Sequence, residues 1–328
     1  MANLFIFSND LRLEDNPALY NASLDKNGLE ALFLFNEKKW QLHYESSLKI
    51  RFRLNNLEII KKKLNALNIN LRILSPRKFD DEPQSILEEA LKINASKVFI
   101  NSEYGVDERR RDANLKKLLN HNGIDLYEFD SSIINPNKIF TGAGTYFKVF
   151  TPYSRSFREE LNEDYLQCFP GPIKQKTKIG ESDEIPNFEL GDVLKKNALK
   201  LYEPGEKAAK EILENFFKNK ISDYKVARDF PAQDSTSKLS VYLSSGIISA
   251  KTCVSKLLEV SEDSPGTGEY SWFNEIIWRE FYKYIIFHYP RVSMRKSFNE
   301  KYDQVQWRNN EEDFICLLYT SPSPRDSI

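Results

Sequence analysis

The chain has 328 residues, 41% hydrophobic and 29% charged, which suits a globular protein of about two domains. Its 47 basic and 48 acidic residues leave a formal charge of −1, and residues 201–310 balance at 16 against 15, so bulk charge argues neither for nor against a polyanionic partner. Three scattered cysteines, Cys168, Cys253 and Cys316, with no CxxC and no histidine cluster, exclude a disulfide framework and a zinc site and point to free thiols in a cytosolic protein. The start MANLFIFSNDLRLED lacks a basic region before a long apolar run, and no apolar stretch reaches about 18 residues, so secretion and membrane insertion are not expected.

Up to about residue 130, short apolar runs alternate with longer amphipathic ones. Segments 3–8, 30–36, 70–75, 97–102 and 124–130 are predicted as buried strands. Between them helical patterns cover 46–67, with Leu54, Leu57, Ile60, Leu64 and Leu67 on one stripe, then 83–93 and 107–120. Strands alternating with helices predict a doubly wound parallel sheet, an α/β domain over residues 1–130. No GxGxxG follows the first strand, so the usual dinucleotide fingerprint is absent. From 131 to 204 the pattern loosens around repeated prolines and a polar run near 174–184, predicting a long connector. Residues 205–314 keep only helical periodicity, at 206–219, 249–260 and 268–289, and predict an all-α second domain. After Phe314 the chain reads ICLLYTSPSPRDSI, in which Ser-Pro-Ser-Pro cannot continue a helix. Residues 315–328 are therefore expected to be a non-native or disordered tail, with the helical domain unfinished before it; a flexible natural tail is the other reading.

The most unusual stretch is WFNEIIWREFYKY, 272–284, where aromatic rings flank an acid and a base in a helix-compatible segment. Glu275 and Arg279 are four apart and share a face, while Trp278 and Tyr282 share the adjoining one. Such a mixture suits a pocket for flat rings better than a core built of Leu, Ile and Val. TSKLS, 236–240, sets three hydroxyls where a loop runs into a helix, an arrangement that serves either a phosphate or an ordinary N-cap.

Five segments in order, DLRLEDNPAL (10–19), YFKVFTPY (146–153), ARDFPAQDSTSKLSVYLSSGIIS (227–249), WFNEIIWREFYKY and VQW (305–307), resemble the DNA photolyase and cryptochrome family, specifically its class I cyclobutane pyrimidine dimer photolyases. The resemblance spans nearly everything up to about Asp313. It implies an N-terminal α/β antenna domain, a connecting loop and an all-α domain that holds FAD, here incomplete.

The resemblance also assigns residues. Tyr224, Thr236, Ser237, Lys238, Leu239 and Ser240 match those around the FAD diphosphate, and Trp272 and Arg279 match flavin-site positions. Arg228 matches a DNA-contacting arginine; without the resemblance it reads as a solvated helix charge. Glu275 and Trp278 match catalytic groups that meet the flipped-out dimer, and Tyr282 joins them on the DNA surface. A lesion lifted from the duplex needs stacking and a hydrogen-bonding partner for its base edges. By itself Glu275 reads as an i,i+4 ion pair to Arg279. Relatives that act on (6-4) photoproducts tend to carry glutamine at that place, so the glutamate favours dimer repair.

Trp307 matches the outermost of three electron-relaying tryptophans, the inner two belonging to a portion the chain lacks; alone it reads as a surface aromatic. His43, Asp107 and Glu108 match the surroundings of a folate antenna. Asp107 stands where asparagine is usual and Met294 where lysine is found, so methenyltetrahydrofolate, a deazaflavin and no antenna all stay open. Ser8 replaces an arginine common in the opening motif.

The expected function is light-dependent repair of cyclobutane pyrimidine dimers by an electron from excited reduced FAD. A cryptochrome-type blue-light photoreceptor is the alternative from the signalling class, against which Glu275 and Trp278 argue. An inactive fragment, with one wall of its flavin pocket and open apolar faces, is the third. A cytoplasmic monomer is expected, bound to damaged DNA in the bacterial nucleoid and not to membranes, with no metal.

Overall fold

The structure, a computed structural model, describes residues 2–25, 28–188, 202–261 and 263–320. Residues 189–201 of the expected connector and 321–328 of the expected tail lie outside the described residues. Five strands, β1 (Ala2–Phe7), β2 (Leu29–Leu34), β3 (Asn70–Leu74), β4 (Ala95–Asn101) and β5 (Asp125–Phe129), pair in parallel in the order β3-β2-β1-β4-β5. Helix α1 (Pro17–Leu24) follows β1, α2 (Glu37–Leu42) and α3 (Ser47–Ala66) follow β2, α4 (Glu82–Lys92) follows β3, and α5 (Val106–His121) follows β4. This is the doubly wound sheet that the alternating pattern predicts, and its strand order reverses between β1 and β4.

Strand alternation divides the apolar side chains into two layers. Leu4 and Ile6 of β1, Leu32 of β2 and Val98 and Ile100 of β4 pack with Ile86, Leu115 and Leu119 of α4 and α5. Phe5, Phe7, Phe33 and Phe99 turn to the opposite face, where Leu54, Leu57, Ile60 and Leu64 of α3 cover them. Burial on both faces is why the central strands read as unbroken apolar runs. The last strand departs from expectation: β5 ends the sheet, and its residues are exposed or half-buried because no strand flanks its outer edge.

The connector is more ordered than its prolines suggest. It holds α6 (Phe150–Glu160) and a short α7 (Glu163–Leu166), and Tyr153 and Phe157, one turn apart, bury the inner face of α6 against the helical part. Pro152 sits in the first turn of α6, where its missing N–H costs nothing.

The remaining elements are α8 (Glu206–Asn219), α9 (Tyr224–Ala227), α10 (Ser240–Ser244), α11 (Ala250–Val260), α12 (Gly268–His288) and α13 (Glu311–Thr320). Helix α13 runs across the boundary expected at 314. Three acids in its first turn suit the positive end of the helix dipole, and Phe314, Leu317, Leu318 and Tyr319 along it are exposed. The second sheet face and the helical part share one continuous core that joins Phe7 and Phe52 to Phe216, Tyr242, Trp272 and Tyr284. Cys168, Cys253 and Cys316 are free thiols, with Cys253 buried. Among the described residues no helix is long and apolar enough to cross a membrane.

Candidate functional site

Helix α12 organises the site. Thr267 caps its start by accepting the Tyr270 N–H at 3.1 Å. Gly268 lies against the turn between α8 and α9 so closely that a Cβ would sit 1.8 Å from the Ile221 carbonyl oxygen, which only glycine permits. Trp272, Phe273, Ile276, Ile277, Glu280, Phe281, Tyr284 and Ile285 face inward, while Glu275 and Tyr282 face solvent.

This division changes the reading of the aromatic segment. The Trp272 ring is buried beside Phe216 and Phe217, with centroids at 5.5 and 5.2 Å, so it is a core side chain and not the open wall of a ring pocket. The pairing of Glu275 with Arg279 is also absent. Arg279 instead donates to the buried Glu280 carboxylate at 2.6 Å, because a buried charge needs compensation more than an exposed one. Glu275 accepts from Arg228 at 2.6 Å, with both side chains half-exposed. The Arg228 guanidinium lies 5.8 Å from the centre of the Tyr224 ring. Burial, then the Glu275 charge, pushes the Tyr224 phenol above its ordinary pKa. As the shared face predicts, Trp278 stacks on Tyr282 at 5.6 Å. Trp278 also stacks on Phe150 of α6, at 3.6 Å and 6° between planes.

The 236–240 segment does run from a loop into a helix, α10. Its capping position is Leu239, whose side chain offers no acceptor, so no hydroxyl caps the helix. The Ser237 hydroxyl accepts the Leu239 N–H at 3.4 Å instead. Thr236, Lys238 and Ser240 are exposed, Ser237 is half-buried and Leu239 is buried, anchoring the loop. Lys238 holds Asp234 at 2.6 Å and Lys220 holds it at 2.8 Å, and these two ammonium groups bring the Asp234 carboxyl down to about 2. A shallow groove of about 290 Å³ gathers Arg228, Phe230, Asp234, Thr236 and Lys238. Arg279 opens elsewhere, into an interdomain cavity of about 350 Å³ with Lys283 and the ends of β1 and β4.

His43, Asp107 and Glu108 come together at a second cavity of about 240 Å³, beyond the carboxyl ends of β1 and β4 where the strand order reverses. His43 Nε2 lies 3.6 Å from Asp107 and Lys39 lies 2.8 Å from Glu108. The buried Arg53 that lines the same cavity has an Nε with no hydrogen-bond partner among the described residues. Burial works to raise the Glu108 pKa, yet the charge and hydrogen bond of Lys39 outweigh it and hold the carboxyl below the ordinary 4.5. A lowered folded pKa stabilises the fold above the unfolded value and loses that contribution as pH falls through the folded one. Glu108→Gln is therefore expected to flatten the acid limb of stability below about pH 4.5; an unchanged limb in acid-unfolding curves rejects the Lys39 pairing. Met294 is partly exposed beside Ser293, which lines this cavity, and Trp307 is 79% exposed on an irregular segment.

The motif DLRLEDNPAL does something that its sequence alone did not reveal. Arg12 is buried and donates to the Asp15 carbonyl at 3.0 and 2.8 Å and to the Gly246 carbonyl at 3.2 Å. Ser249 donates to Asp15, and Glu206 accepts the Leu13 and Glu14 N–H groups, both at 2.9 Å. Gly246, at φ +67°, approaches so closely that a Cβ would lie 2.0 Å from the Asn9 carbonyl oxygen. The loop after β1 is thus the staple between the sheet and the helices. The dense charge between two apolar stretches was the available signal. Phe150 was also missed, because nothing local ties it to Trp278, 128 residues later.

Residues 3–172 match the family model described as DNA photolyase. The deoxyribodipyrimidine photo-lyase of Buchnera aphidicola from Acyrthosiphon pisum is 33% identical over 319 residues, covering 95% of this chain and 65% of that one. The Escherichia coli protein of the same name is 31% identical over 317 residues, covering 94% and 65%. The chain thus spans about 65% of the length of these curated relatives. Among solved structures, a bacterial class III photolyase from Agrobacterium tumefaciens superposes with a TM-score of 0.83 at 23% identity, over 96% of this chain and 64% of that one. A Synechocystis cryptochrome superposes at 0.78 and 20% identity, over 96% and 67%; both likenesses speak to the fold.

Proposed function

Because the chain belongs to the DNA photolyase family, we propose that its function is light-dependent repair of cyclobutane pyrimidine dimers in DNA, with residues 1–130 as antenna domain, 131–204 as connector and 205–314 as FAD- and DNA-binding domain. The observation that carries this reading is on α12: an exposed Glu275 carboxyl lies one turn from Trp278, whose ring is stacked with Phe150 and Tyr282. Flat rings offer a surface for an extruded pyrimidine dimer, and the carboxylate accepts hydrogen bonds from the imide edge of its bases. Arg228 adds a guanidinium suited to a phosphate of the same strand.

The donor set at 236–240 fits the diphosphate of FAD: exposed Thr236 and Lys238 adjoin first-turn N–H groups of α10 that no side chain caps. Trp272 supports that region from within the core, and Arg279 acts through Glu280 and the Leu243 carbonyl, which it reaches at 3.5 Å. When bound, FAD supplies the electron under light. Trp307, at 79% exposure, suits the outermost step of electron supply from solution. The cavity of His43, Asp107 and Glu108, with the unpartnered Arg53 Nε, fits a polar antenna chromophore of the methenyltetrahydrofolate or deazaflavin class.

The test is recovery of thymine absorbance in a dimer-containing oligonucleotide mixed with the purified chain, FAD and reductant under blue light. Light-dependent recovery is expected. Flavin binding without recovery points to the photoreceptor reading, and a colourless chain that binds neither flavin nor DNA sinks both.

A further inference from the structure

We propose that Arg228 is a latch shared between the DNA strand and Glu275: in the free chain it holds the carboxylate, and a strand phosphate draws it away, uncovering Glu275 for the lesion. The inference rests on the repair reading and adds an order of events to it.

The geometry supplies both halves. Arg228 Nη1 donates to Glu275 Oε1 at 2.6 Å, so one of the two carboxylate oxygens, and part of the negative charge, is engaged before DNA arrives. The latch is weak by construction, because 38% of the Arg228 side chain and 44% of the Glu275 side chain are exposed, where ion pairs shift an equilibrium by less than about tenfold. Arg228 ends the four-residue helix α9 and lines the groove that leads past Phe230 to Thr236 and Lys238. Its Nε has a second acid nearby, Asp229, at 3.9 Å, so Glu275 is one of two acids within ion-pair distance of it among the described residues.

The groups facing Glu275 from α9 and its C-terminal cap are the Tyr224 phenol and Arg228; on α12 itself Arg279 is turned away and spent on Glu280. No other cation lies within ion-pair distance of Glu275 among the described residues. A phosphate accepts a guanidinium through two parallel hydrogen bonds, which a single Nη1 contact to Glu275 does not match. Once Arg228 moves, the carboxylate is left exposed beside Trp278 and Tyr282, free to accept the N–H of an extruded thymine. Lesion reading is then conditional on strand binding, and an undamaged strand opens the latch too.

A double-mutant cycle on the full chain tests this, using fluorescence anisotropy with a labelled undamaged single-stranded oligonucleotide. Glu275→Gln removes the competitor for Arg228 and is expected to tighten binding roughly two- to fivefold. In an Arg228→Gln background the same change is expected to have almost no effect, while Arg228→Gln alone lowers the salt slope by about one. Equal tightening in both backgrounds means general charge removal and overturns the latch, as does no tightening at all. Should Arg228→Gln fail to fold, the Arg228 Nε–H resonance, assigned with Arg228→Lys, is expected to move on Glu275→Gln and again on adding oligonucleotide. A resonance that ignores either change overturns the proposal. A wild-type chain that binds no oligonucleotide overturns the repair reading itself.

Discussion

Arg12→Ala is expected to destabilise the chain by about 3–5 kcal/mol, the range for removing one partner from a buried charged network. The side chain is 4% exposed and makes three hydrogen bonds to two backbone carbonyls, one on each side of the interface between sheet and helices. Deleting it leaves the Asp15 and Gly246 carbonyls unsatisfied and removes the charge that offsets the buried Asp10. Burial already raises the Asp10 pKa, with Asn101 and Arg12 pulling against it. Loss of Arg12 should therefore push the carboxyl further up. Urea unfolding followed by circular dichroism measures the cost, and a change below about 1 kcal/mol would show that the staple contributes little. Limited proteolysis should also reveal early cleavage around 131–204, because the helical part loses its purchase on the loop after β1.

On the repair reading, Trp278→Ala is expected to weaken binding of a dimer-containing oligonucleotide by roughly 5- to 150-fold, the effect of about 1–3 kcal/mol for a lost stacking partner. Trp278 contributes little to the deep core, since it is half-buried and lies on the flank of α12 against Phe150. The fold should therefore survive, with a circular dichroism spectrum close to wild type. Trp278→Phe keeps a flat face beside Phe150 and Tyr282 and should retain much of the affinity. Equal affinities for damaged and undamaged oligonucleotides in the wild type, unchanged by either substitution, would remove Trp278 from lesion recognition.

The strands and long helices were legible because their signals are local. The unbroken apolar runs of β1 and β4, the Leu54–Leu64 stripe of α3 and the 3.6-residue pattern of α12 each follow from residues close in sequence. Helix α6 was obscured because Pro152 reads as a breaker, yet in a first turn it is tolerated, and the burial of Tyr153 and Phe157 decides the matter. Strand β5 read as buried from its composition, but exposure depends on being the edge of the sheet, which is a property of strand order.

The same distinction governs the site. From sequence alone came the helix that carries Glu275, Trp278 and Tyr282, the loop that carries Thr236 to Ser240, and the neighbourhood of Trp278 and Tyr282, all of them relations within a few turns of chain. Tertiary structure alone decided which charge answers which. Glu275 pairs with Arg228, 47 residues earlier, and Arg279 is taken by Glu280. Helical spacing allows a Glu275–Arg279 contact worth only a few tenths of a kcal/mol, whereas burial of Glu280 makes its compensation worth several times more. Burial also moved Trp272 from pocket wall to core, since Phe216 and Phe217 of α8 reach it only after the helices pack. Hydrophobic period is written residue by residue, but partner choice among charges and rings is settled by which surfaces the fold excludes from water.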